Sequence, residues 1–281
     1  MGNPVLYVVQ DEDGQLRSHV SRGGAYGAAA WPASVGPEEF QADLANPRWD
    51  GVGLIREYMH LDSGVLMDCV TKTFAWHTLW DEVGRARLEH AELARAFPGW
   101  NLRWAVEGAW SFADVLGISR SAVVQEQYDP QLLALELQTA DDAFSDDGAC
   151  ILTVREAGET RSFPLVDYVD HAITIGADAA LAARWTDDEF GVDEVMSGVC
   201  VDVERRTVQW WTSTAAEKLY RAAVTLWPGW SFECMGDDFE VHNRFAGRQI
   251  ARIDGELEVP DGVSLADPVL VVRPAGLPGF R

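Results

Sequence analysis

The chain has 281 residues, of which 47% are apolar and 10% aromatic, enough for one large core or two ordinary ones, so global disorder is excluded. Its 45 acidic and 22 basic residues leave a formal charge of −23, a field that repels nucleic-acid phosphates and anionic headgroups and speaks against nucleic-acid or membrane binding. No apolar run approaches the ~18 residues of a spanning helix.

The opening Met1-Gly2-Asn3-Pro4 has neither the basic nor the long apolar region of an export signal. Cys69, Cys150, Cys200 and Cys234 are scattered without a C-x-x-C pair, which argues against a zinc knuckle or a disulfide framework and fits a reducing cytoplasm. Lysine occurs only at Lys72 and Lys218; with abundant alanine and arginine, this is the composition of a GC-rich bacterial coding sequence.

In chain order, Val5 to Gln10 is strand-like, Asp11 to Gly14 supplies a turn and Leu16 to Ser21 returns, predicting an antiparallel hairpin. Gly36-Pro37-Glu38-Glu39 marks a helix start, with proline and acids in the first turn. Leu54 to Tyr58, Val65 to Asp68 and Thr73 to His77 read as strands. Leu79, Val83, Ala86, His90, Leu93 and Phe97 then follow at spacings of three and four, one face of an amphipathic helix opened by a Thr78/Asp81 capping box. Pro98-Gly99 ends it, and a strand is expected after Trp100. Ala122 to Gln125 and Leu132 to Leu137 are further strand candidates.

The second half repeats this order. Ser63-Gly64-Val65 and Trp76 recur as Ser197-Gly198-Val199 and Trp210, displaced by 134 positions, and Phe97-Pro98-Gly99-Trp100 recurs as Trp227-Pro228-Gly229-Trp230, displaced by 130. Upstream, Val5 to Ser18 pairs with Ala149 to Ser162, matching Gly14 to Gly158. The fold expected is α+β: a tandem duplication of a unit whose mainly antiparallel sheet is covered by one long amphipathic helix. Residues 1–140 form the first repeat, the Asp-rich 141–148 an acidic connection, and 149–281 the second repeat, with strands at Ile250 to Ile253 and Val269 to Val272.

Signatures with a defined chemistry are absent from the sequence: there is no G-x-S-x-G elbow, P-loop or H-E-x-x-H helix. His60 and Asp62, two apart on an expected strand, could face one side as metal ligands with Asp68. The second half offers Glu194 and Met196 instead, so no cofactor is assigned. Trp76, Trp100, Trp210 and Trp230 recur in both halves and read as packing anchors. Trp31, Trp49, Trp80, Trp110, Trp185 and Trp211 are the candidates for contact with a partner, because tryptophan concentrates in interface hot spots.

Such acidity serves solubility, adaptation to high salt, or attraction to a basic protein. The leading expectation is a non-catalytic acidic protein-binding module, an immunity or antitoxin-like inhibitor of a basic effector. The alternative is an enzyme or small-molecule binder with its site in the cleft between the repeats.

Overall fold

The computed structural model describes residues 4–21, 23–45, 63–78, 82–119, 149–166, 173, 176–182, 195–215, 226–253, 257–259, 263, 265 and 271–272. The chain divides into two compact units: Met1–Trp80 with Arg85–Gln127 and Glu258–Val263, and Asp81–Gly84 with Tyr128–Leu257 and Ser264–Arg281. The acidic stretch 141–148 and the strand candidates at 54–58, 122–125 and 132–137 lie outside the described residues. Among the described residues no helix is long and apolar enough to cross a membrane.

In the first unit, β1 (Val5–Gln10), β2 (Leu16–Ser21), β3 (Ser63–Asp68), β4 (Thr73–His77) and β5 (Asn101–Trp104) form one sheet in the order β2-β1-β3-β4-β5. The β1/β2 and β3/β4 pairs are antiparallel, whereas β1/β3 and β4/β5 are parallel. The sheet is therefore mixed, not mainly antiparallel. Parallel neighbours require a crossover, and helices occupy both: α1 (Ala30–Leu44) between β2 and β3, and α2 (Arg85–Ala96) between β4 and β5. The expected helix start at Gly36-Pro37 falls inside α1, where Gly36 at φ 79 kinks the helix and Pro37 restarts it.

Helices cover both faces of this sheet, which is why β3 and β4 are buried along their whole length. On one face Tyr7 packs edge-on against Trp31 at 5.1 Å, Phe40 meets Phe74 at 6.4 Å, and Phe74 meets Phe97 at 4.5 Å. The other face carries Leu6, Val8, Leu66 and Ala75, packed with Trp110, Phe112 and Ala113 of α3 (Ala109–Val115). This second cover escapes a sequence reading that assigns one helix to one face.

The expected helix beginning at Leu79 starts at Arg85 instead, because Gly84 (φ 88) breaks the stripe. Residues Asp81–Gly84 belong to the second unit. No single long helix covers either sheet among the described residues.

The second unit repeats the plan with β6 (Ala149–Glu156), β7 (Glu159–Val166), α4 (Gly176–Ala182), β8 (Val195–Asp202), β9 (Thr207–Thr212), β10 (Ser231–Cys234), α5 (Phe239–Ala246) and β11 (Val271–Val272). Its order is β7-β6-β8-β9-β10-β11, the first unit's order with one strand added at the edge. Matching backbone bonds recur: Cys69 N to Gln10 O at 2.9 Å and Val203 N to Arg155 O at 3.0 Å, Asn101 N to Lys72 O at 2.8 Å and Ser231 N to Arg206 O at 2.9 Å, Ala105 N to Trp76 O at 2.7 Å and Met235 N to Trp210 O at 2.8 Å. Trp227 and Trp230 stack edge-on at 5.2 Å as Phe97 and Trp100 do at 5.6 Å. Ile151, Val195, Trp211, Phe239, Ile250 and Ala251, joined by Val83, form the core under α5.

Two details correct the sequence alignment. Val5 and Cys150 stand opposite Ser63 and Ser197, so the first strands correspond one residue further along than the displacement that matches Gly14 to Gly158. One residue of slip reverses which face a side chain takes, and the tighter turn of the second hairpin, closed by Glu156 and Glu159, absorbs it. Residues 250–253 are irregular rather than a strand: Asn243 Oδ1 accepts from Ile250 N at 2.6 Å and Ala251 N at 3.2 Å, satisfying amides a sheet would otherwise take.

Candidate functional site

Trp76 and Trp210 are fully buried on β4 and β9, Trp230 is buried, and Trp100 is half-buried against Phe97. The partner-contact candidates separate. Trp110 and Trp211 are only 4% and 1% exposed and sit within the cores under α3 and α5, so neither presents its ring to a partner. Trp31 is half-buried, its ring edge-on to Tyr7 and 5.0 Å from Phe40. Trp49, Trp80 and Trp185 lie outside the described residues.

His60 and Asp62 likewise lie outside the described residues. Asp68 is buried, and its carboxylate closes the β3–β4 turn: Val70 N donates to Oδ1 at 2.9 Å and the Thr71 hydroxyl donates to Oδ2. Its counterpart Asp202 accepts from Arg205 N at 3.0 Å and lies 3.7 Å from Arg155. Two turns of one geometry thus use the same acid as a cap. Among the described residues no three His, Cys, Asp or Glu side chains come together in a way that could hold a metal ion.

The group with the most distinctive chemistry in the first unit is Glu89, on the buried side of α2. Trp76 Nε1 and Thr78 Oγ1 both donate to its Oε2 at 3.1 Å, and His90 stacks on Trp76 at 5.7 Å. Burial pushes its carboxyl up to about 7, against the two hydrogen bonds and the Arg85 charge, which favour the ionised form; Glu92 adds to the rise. A carboxyl poised there exchanges a proton near neutrality, the property acid–base chemistry needs. Thr78 is thereby a donor to Glu89, and α2 begins at Arg85. The spacing held a signal: Glu89 falls three after Ala86 and four before Leu93, on the apolar stripe itself.

A second feature recurs in both units in altered form. Gly64 and Gly198 leave room on the sheet for two packed rings. In the first unit these are His77 from β4 and Phe112 from α3, 5.6 Å apart; in the second they are Trp211 from β9 and His242 from α5, 6.4 Å apart. The imidazole has changed sides: the strand supplies it once and the helix the other time. A Cβ on Gly64 would lie 2.8 Å from His77 Nε2, and on Gly198 2.2 Å from His242 Nδ1.

His242 is fully committed. Trp211 Nε1 donates to its Nδ1 at 2.9 Å, leaving the proton on Nε2 to reach Thr153 Oγ1 at 2.6 Å, with Ser162 Oγ 2.9 Å beyond. Burial holds its imidazole down at about 3 with help from Arg248, and burial holds His77 at about 4, so both rings are neutral. The displacements of 134 and 130 carry His77 onto Trp211 and Phe112 onto His242, so the exchange was readable once both blocks were aligned.

No protein-family model, no curated protein and no solved structure matches this chain.

Proposed function

We propose that the chain is a non-catalytic acidic module that binds a basic protein, an immunity or antitoxin-like inhibitor of a basic effector being its most specific form. The observation that carries this reading is the net charge of −23. It is supported by the fate of the side chains the halves share. Trp76 and Trp210, Asp68 and Asp202, and Gly64 and Gly198 serve packing and turns, which leaves recognition to the exterior. We also read the two sheets as copies of one duplicated unit, since strand order and turn hydrogen bonds coincide. None of the four cysteines is in a disulfide, which suits a reducing cytoplasm.

The test is kinetic. Association of the purified chain with its captured partner should slow steeply as salt rises, because screening removes steering between opposite charges. An association rate indifferent to salt would overturn the reading. One observation favours an enzyme or small-molecule role instead: the Glu89 carboxyl held near 7. A thermal-shift screen of metals, nucleotides and sugars tests it, a ligand at a hundred times its dissociation constant adding about 2.7 kcal/mol. That gain should vanish in Glu89→Gln.

A further inference from the structure

We propose that the turn end of the first sheet is the docking surface for the basic partner, with Leu16 and Val70 as an apolar seat bordered by Asp11, Glu12 and Asp13. This rests on the reading of an acidic protein-binding module and gives it a location. The β1–β2 hairpin and the β3–β4 turn adjoin because Gln10 pairs with Leu16 on one side and Asp68 on the other, while Cys69 N donates to Gln10 O at 2.9 Å. At this end Leu16 is 40% exposed and Val70 56% exposed. Glu12 and Asp13 are exposed beside them. The proximity of the acids registers at Cys69, whose thiol is pushed up to about 11 by burial and then by the charges of Asp68, Glu12 and Asp11. Among the described residues the cations at this end are Arg17, held by Asp11 at 3.1 Å, and Lys72.

The second unit is an internal control. Its β8–β9 turn follows the backbone of the β3–β4 turn, with Arg206 at φ 51 where Lys72 has φ 52, while its hairpin turn is tighter and keeps a left-handed glycine, Gly158 at φ 81 where the first has Gly14 at φ 79. Yet Thr160 takes the place of Leu16, and Glu204 that of Val70. Glu204 accepts from Ala157 N at 2.5 Å, and Arg161 pairs with Glu159 at 2.9 Å, so that end is closed by its own polar contacts. The second unit's turns thus carry polar residues at both positions. Two aliphatic side chains held in water where the second unit has threonine and glutamate are suited to contact with another molecule. The acidic border selects a cationic one, so the occupant is a basic protein that presents an aliphatic or aromatic side chain between lysines or arginines.

The experiment pans a random-peptide display library against the full chain at low salt, then measures the selected peptides on three variants. Leu16→Thr/Val70→Glu installs the second unit's own residues and should keep the wild-type melting temperature while weakening binding at least about tenfold. Glu12→Lys/Asp13→Lys should weaken it further, and Glu204→Val should leave it unchanged. Selected peptides should carry a large apolar residue flanked by lysine or arginine. Cationic peptides that bind Leu16→Thr/Val70→Glu as tightly as wild type would overturn this site yet leave the acidic-module reading standing. Selection of peptides without cationic character would sink both.

Discussion

The two units run the same backbone plan over different chemistry, and the contrast is sharpest where a glycine on the sheet makes room for two rings. In the first unit an imidazole and a phenyl ring pack at a tilt, and His77 Nδ1 has no hydrogen-bond partner. In the second an indole, an imidazole and two hydroxyls form a connected chain from Trp211 to Ser162. Position in the fold therefore sets how much volume must be filled, and neighbouring side chains set whether the filling is apolar or hydrogen-bonded. Val8, where the second unit has Thr153, belongs to the apolar version of the same site.

This comparison is open to direct test, beginning with the largest effect. Trp76→Ala should destabilise the protein by about 3–5 kcal/mol or more in chemical denaturation, exceeding Trp210→Ala, because it also strips a donor from the buried Glu89 carboxyl. Gly198→Ala should cost more than Gly64→Ala, at or above the upper end of the ~1–3 kcal/mol of overpacking, since its new methyl would meet His242 Nδ1 and Trp211 Nε1 at 2.2 and 2.5 Å. Equal losses would mean that the two ring sites yield alike.

Exchanging chemistry is a subtler probe. His242→Phe, which copies Phe112, should cost about 1–3 kcal/mol because Thr153 and Trp211 each lose a partner, and adding Thr153→Val should recover part of the loss. If Thr153→Val makes matters worse, the hydrogen-bonded chain is not the unit of stability.

The units should also differ in pH response, read by amide hydrogen exchange in each. His242, lowered from 6.5 to about 3, contributes stability that is whole above 6.5 and is lost as pH falls toward 3. His77 acts in the same sense from 6.5 toward about 4, but Glu89, raised from 4.5 to about 7, contributes stability present below 4.5 and lost as pH rises through 7. Between 4.5 and 6.5 the first unit's contributions oppose each other and its profile should be the flatter. Glu89→Gln should steepen it to match the second. The smallest effect belongs to Arg17→Ala, which breaks the exposed pair with Asp11 and should change stability by less than about 1 kcal/mol.

The hairpins were legible because turn residues such as Gly14 and Gly158 punctuate them, and the recurrence of Pro-Gly-Trp located the strand after each. Strand direction was not: that β1 lies beside β3 in parallel depends on a pairing across α1, which no local pattern encodes. The helix stripe from Leu79 overran its true start because spacing alone does not register that Gly84 turns the chain. Short helices such as α3 and α5 carry too few turns for a period to emerge, so both helices, and with α5 His242, stayed hidden. Tryptophan content could not separate a docking ring from a core ring; Trp110 and Trp211 proved to be core.

The exchange of the imidazole between strand and helix limits how the halves can trade segments. A crossover that brought α5 into the first unit while keeping β4 would set two imidazoles over Gly64, and the reciprocal event would leave Trp211 facing a phenyl ring with its indole N–H stranded. Gene conversion with a breakpoint between these elements is thus penalised in either direction, so the halves are free to diverge as wholes but not piece by piece.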